Sequence, residues 1–208
     1  IDATGYFSGP LFTNFLPGPN PGVLDWYTVL AGLLTLTILA QHGTLYLIWK
    51  TQGEVQTRAR QFANKCWPVM LALGIAATAA TYAIQPMIFT NLVARPWAWP
   101  LLAFVPISLA YSIVALHKNR ELPAFLGSAG YIIFLLAATA AGAYPNILIS
   151  TVSPAYSVTV HNGAAGERGL ELGAIWWGTA LVLAIAYFIH LFRSFRGKVD
   201  VDAKGYEH

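Results

Sequence analysis

The chain has 208 residues, 56% of them hydrophobic and 10% charged, with a formal charge of +3 at pH 7. Water-soluble domains carry about a quarter charged residues, so this balance points to a protein that lives in lipid. The lone cysteine, Cys66, excludes an internal disulfide and any multi-cysteine metal cluster, and reads as a small buried apolar residue.

In chain order, residues 1–22 are rich in Gly, Pro and Asn, carry no Lys or Arg, and lack helical periodicity. They read as an irregular extracytoplasmic segment. The start at Ile1 shows no signal-peptide pattern, and the expectation is a piece of a longer or processed chain. A transmembrane bundle over 23–196 follows, then a cytoplasmic tail over 197–208. A hydrocarbon core of about 30 Å needs roughly 20 apolar residues in helix. Stretches at 24–49, 66–84, 98–117, 124–144 and 171–192 qualify, giving an all-α, polytopic membrane fold of about five helices.

Asp25 and Glu171 stand near helix starts, where the positive end of the dipole favours an anion. Ala72, Ala76 and Ala80 in the second span, and Ala137/Ala141 and Ala138/Gly142 in the fourth, offer small-residue faces for close helix approach. Pro100 and Pro106 are expected to bend the third span. Asn119 or Glu121 is expected to cap the fourth, with Pro123 in its first turn.

Charge sets the orientation. Lys50, Arg58, Arg60 and Lys65 follow the first span, Lys118 and Arg120 the third, and Arg193, Arg196, Lys198 and Lys204 the fifth. Ten of the twelve cations thus share one side, leaving Arg95 and Arg168 on the other. The positive-inside rule then puts the N-terminus outside and the C-terminus in the cytoplasm. Topology accounts for these cations, so a nucleic-acid partner has no support.

No Asp or Glu lies well inside a span, so a carboxylate proton relay is not built from these residues. His42, His117 and His190 lie toward the cytoplasmic side on three helices. A haem-binding membrane anchor for a dehydrogenase, using His42 with His117 or His190, is the alternative reading, because two helices can each supply a histidine to haem iron. The favoured reading makes Gln41 and His42 polar contacts to a neighbouring helix or headgroup. His161 and Asn162 belong to a tight outer turn with Gly163 and Gly166, where Asn and Gly tolerate positive φ. No catalytic, cofactor-binding or metal residue is assigned to this chain. A transporter half is the weakest option, since midplane carboxylates and paired broken helices are lacking.

The stretch "GVLDWYTVLAGLLTLTILAQHGTLYLIWKTQGEVQTRARQFA" resembles subunit II of the cytochrome bd-type quinol oxidases. The elements that carry the likeness are Leu24–Asp25, Gln41 to Leu47, Lys50 to Gly53, and Arg58 with Arg60. "YSVTVHNGAAGERGLELGAIWW" and "FRSFRGKV" resemble that family's last loop and ending, with Gly163 where alanine is usual. "DATGYFSGPLFTNF" and "HNGAAG" are similar to the branch called cyanide-insensitive. The likeness runs over nearly the whole chain and covers about the C-terminal half of the family's subunit II.

The resemblance implies a multi-pass subunit of the bacterial cytoplasmic (inner) membrane, working in a complex that oxidises quinol and reduces oxygen to water. It further implies that the haems and their ligands sit in a partner, subunit I, and that this chain binds none and supports that partner. Membrane lipids, a structurally held lipid or quinone, and a small third subunit are the other associations it suggests.

Overall fold

The computed structural model describes residues 11–12, 14–17, 22–150 and 153–199. Most of the segment expected over 1–22 and of the tail over 197–208, Lys204 included, lies outside the described residues. Five of the helices described are long and apolar enough to cross a membrane.

Helix α1 (Trp26–Lys50) starts at a reciprocal cap. Asp25 Oδ1 accepts the Thr28 N–H at 2.8 Å, and the Asp25 N–H donates to Thr28 Oγ1 at 3.0 Å. Two of the orphan donors of the first turn are thereby satisfied where water is scarce.

Helix α2 (Gly53–Ile84) begins well before the apolar run expected at 66, and only Thr51 and Gln52 separate it from α1. Its cationic first part is helix rather than loop. The sequence "EVQTRARQFANK" has no Pro or Gly, and Arg58 pairs with Glu54 one turn back. At about 1.5 Å per residue the 32 residues span roughly 48 Å, more than a hydrocarbon core of about 30 Å. The helix therefore runs past the core at its charged end.

So short a connection forces α1 and α2 into an antiparallel pair. Ile38, Leu45 and Ile48 of α1 share a core with Ala59, Ala63, Trp67 and Met70 of α2. That stripe sets the phase of α2. Position 72 is about 200° round from position 70 at 3.6 residues per turn, so Ala72 and Ala76 face outward and only Ala80 is buried. The expected alanine face of the second span is thus not the packed one.

After α2 the chain makes a short helix that the sequence reading missed, α3 (Pro86–Val93), then a 3-10 turn at Pro96–Ala98. Helix α4 (Trp99–His117) follows. Pro100 is its second residue, where a missing N–H costs nothing, so the expected bend there is replaced by an ordinary helix start. Pro106 lies inside α4.

Helix α5 (Glu121–Ala143) pairs with α4, but neither Asn119 nor Glu121 caps it. Asn119 instead ends α4 in the left-handed region at φ 54°. Its N–H donates to Leu116 O at 3.0 Å and the Arg120 N–H to Ala115 O at 2.8 Å, the pattern of a Schellman ending. A left-handed residue is needed there, and asparagine supplies it.

The far end of α5 is closed by α3 and the turn after it. Asn91 Nδ2 donates to Gly142 O at 2.8 Å, and Arg95 Nη1 to Ala141 O at 2.9 Å. A cation at a helix C-terminus meets the negative end of its dipole, a local reason for an arginine on the cation-poor side. Ala138 and Gly142 are buried, and a Cβ on Gly142 would come within 2.6 Å of Ile88 Cγ2. That expected small face is a packed one.

A two-stranded antiparallel pair, β1 (Asn146–Leu148) and β2 (Val158–Thr159), leads to α6 (Glu167–Ser194). None of the residues of α6 is buried. It meets the other helices near its C-terminal end, through Phe192 on Trp49 and the Phe195 carbonyl on Lys50 Nζ. Four helices and α3 form the packed body, and α6 touches it at one end with its apolar surface uncovered.

Close approach of α4 and α5 is tightest at Gly127. A Cβ there would lie 3.0 Å from Ser112 Cα and N, which are backbone atoms of the facing helix and cannot swing aside. Ser112 Oγ in turn donates to Ala124 O at 2.6 Å across the same contact. Gly127→Ala is expected to destabilise the pair by about 1–3 kcal/mol, the usual cost of overpacking, measurable as a lowered unfolding temperature of the purified protein in detergent.

Candidate functional site

The Gln41–His42 pair lies near the cation-rich end of α1. His42 Nδ1 is 2.7 Å from Ser128 Oγ of α5, and Ser128 Oγ is also 2.7 Å from Phe125 O. A hydroxyl has one proton. If Ser128 gives it to the carbonyl, the imidazole donates from Nδ1 and keeps a lone pair on Nε2. The His42 ring also stacks on Phe125, centroids 4.6 Å apart. Tyr46 and Trp49 gather round the same Phe125 at 5.7 and 5.5 Å. The spacing 42, 46, 49 puts all three on one face of α1. This aromatic cluster was legible in the sequence by that periodicity, but was missed.

Gln41 is different. It is 1% exposed, on the face that carries Ile38, Leu45 and Ile48, and neither carboxamide atom has a hydrogen-bond partner among the described residues. The helix contact expected for it is absent among the described residues. Trp67 Nε1 is likewise buried without a partner among the described residues.

The other histidines stay apart. His117 Nδ1 lies 2.8 Å from Ile113 O of its own helix, and His190 Nε2 lies 3.4 Å from Ser194 Oγ of its own. Each of the three rings is thus engaged elsewhere than with another histidine. Among the described residues, no group of three or more His, Cys, Asp or Glu is placed to hold a metal ion.

At the opposite end of the bundle, Asn162 stitches the turn before α6. Its Oδ1 accepts the Thr159 N–H at 2.6 Å and its Nδ2 donates to Ser157 O at 2.9 Å. The His161 ring meets Tyr144 edge-on, centroids 6.4 Å apart. The turn does not use the positive φ expected of Asn162, Gly163 and Gly166. Gly163 is required by space instead, since a Cβ would lie 2.7 Å from Val158 Cγ1 and 3.1 Å from Thr159 O.

The strongest polar constellation centres on Glu121, a residue considered from sequence only as a cap. Its Oε1 accepts from Arg60 Nη2 at 2.8 Å and Gln56 Nε2 at 2.7 Å, and its Oε2 pairs with Lys198 Nζ at 2.5 Å. Gln56 Nε2 also reaches Ile48 O at 2.9 Å, and Arg60 Nη1 reaches Asn119 Oδ1 at 3.1 Å. The carboxylate side chain is 15% exposed. The available signal was the four-residue spacing of Gln56 and Arg60, which means one face only if that stretch is helix.

A helical body with five membrane-length helices defines a polytopic integral membrane protein. The chain belongs to the family described as cytochrome bd terminal oxidase subunit II, whose pattern matches residues 3–195. It is 26% identical over 177 residues to cytochrome bd ubiquinol oxidase subunit 2 of Bacillus subtilis (strain 168), a match covering 85% of this chain and 52% of that relative. The chain thus spans about half the relative's length.

Two substitutions probe these groups. Glu121→Gln leaves Arg60 and Lys198 without their counter-charge and is expected to cost about 1–3 kcal/mol, read from thermal unfolding and reversed in part by Glu121→Asp. Gln41→Leu removes two orphaned polar atoms at similar volume, so the unfolding temperature should stay level or rise. A fall of several degrees would refute that reading.

Proposed function

We propose that this chain is part of the membrane subunit of a bd-type terminal oxidase that binds no haem, in a complex of the bacterial inner membrane that oxidises quinol and reduces oxygen to water. Subunit I is the partner that carries the haems, and a small third subunit can complete the assembly. The N-terminal end faces outward and the cation-rich end faces the cytoplasm, in line with the side taken by Lys50, Arg60, Arg120 and Arg196. In this arrangement quinol protons leave outside, while the protons consumed in water formation come from the cytoplasm.

The role of the chain is structural. It presents apolar helix faces to its partner and limits leakage of water and protons along the interface. The observation that carries this reading is the family match over residues 3–195. Two features of the molecule support it: the Nδ1 of His42 is engaged by Ser128 and its ring stacks on Phe125, and α6 offers an uncovered apolar length.

His42→Ala in the native complex tests the division of labour. Loss of one hydrogen bond and one ring contact should lower stability by about 1–2 kcal/mol. The reduced-minus-oxidised spectrum per assembled complex should be unchanged. An assembled complex missing one haem band would instead assign a ligand to this chain and overturn the proposal.

A further inference from the structure

A groove of about 930 Å³ opens between α6, the end of α1 and the start of α5. Its walls are apolar: Trp49, Leu122, Ile185, Phe188, Ile189 and Phe192. Four of these follow one another on α6 as 185, 188, 189 and 192, the spacing of a single helix face. They are about half exposed, so nothing among the described residues covers them. This is the large end of the range for small-molecule sites, about 300–1,000 Å³.

The polar lining is gathered at one end. Lys50, Arg120, Arg193, Arg196 and Lys198 line the mouth, against the single carboxylate of Glu121. That carboxylate is already claimed by Arg60 and Lys198, and Lys50 Nζ donates to Phe195 O. Arg120, Arg193 and Arg196 are exposed and make no ion pair among the described residues. Three unpaired guanidiniums therefore crown a trough that is apolar along roughly 11 Å of α6, from Ile185 to Phe192 at about 1.5 Å per residue.

We infer that this groove holds an anionic phospholipid, with its phosphate among Arg120, Arg193 and Arg196 and an acyl chain against Phe188, Ile189 and Phe192. The polarity order of the groove is that of the lipid, with charge at the membrane surface and hydrocarbon beneath it. Guanidinium groups match phosphate oxygens in paired hydrogen bonds, and basic pockets at the cytoplasmic ends of helices select anionic headgroups. A zwitterionic headgroup would bring its own cation among five others. The inference needs only that the chain is embedded in a membrane, so it stands or falls separately from the oxidase reading.

The test is native mass spectrometry of the purified, detergent-washed complex after incubation with phosphatidylglycerol or phosphatidylcholine. The wild type should retain phosphatidylglycerol in preference to phosphatidylcholine. The combined variant Arg120→Gln, Arg193→Gln, Arg196→Gln should retain at least tenfold less, given the usual gain per basic residue near an anionic surface. Arg58→Gln, away from the groove, should match the wild type. Should the triple variant fail to assemble, Ile189→Trp fills the trough with the charges intact and should also lose the lipid. A benzophenone amino acid at position 192 should crosslink to lipid in native membranes. Equal retention of phosphatidylglycerol by the wild type and by either groove variant, or a crosslink from position 192 to polypeptide alone, would overturn the proposal.

Discussion

The carboxylate of Glu121 ties together segments far apart in the chain. Through Gln56 it reaches the last turn of α1, through Arg60 it holds α2, and through Lys198 it holds the strand of chain beyond α6. Two backbone bonds reinforce the last link, Val199 N–H to Lys50 O at 2.8 Å and Gln52 N–H to Val199 O at 3.2 Å. The arrangement gives a largely buried negative charge several compensating donors, without which its desolvation would be costly. The cation-rich end of the molecule is organised round that requirement.

Beyond that end, association relies on shape more than on the hydrophobic effect, since lipid tails are as apolar as leucine. Gly127 against Ser112 and Gly142 against Ile88 bring α5 close to its neighbours at two levels. Hydroxyls then act locally: Ser112 bonds across to Ala124 O, while Thr35, Thr37 and Thr44 turn back to carbonyls of α1 one turn earlier. Gln41 and Trp67 Nε1 are the exceptions among the described residues, buried polar groups that break the rule of satisfied hydrogen bonding.

Uneven packing gives the chain its character as a component. The first four spans share cores, whereas α6 buries none of its residues and touches the body at its charged end. A helix so exposed fits a surface completed by lipid or by another polypeptide. The groove it forms with α1 and α5 couples that apolar length to a concentration of positive charge, two properties that neither helix alone possesses.

Sequence by itself determined the class. Five apolar runs, an asymmetric distribution of Lys and Arg, and the Gln41-to-Gly53 motif are properties of composition and local spacing, which survive without knowledge of how helices turn toward one another. The phase of each helix was another matter. Which alanines pack, that Asn119 ends α4 instead of starting α5, and that Gln56, Arg60 and Lys198 converge on Glu121 all depend on the two-residue turn at Thr51–Gln52 and on contacts between segments up to 149 positions apart, as in Lys50 to Val199. Rotation about a helix axis leaves its hydropathy unchanged when every side is apolar, so only tertiary contacts could decide which side faces inward.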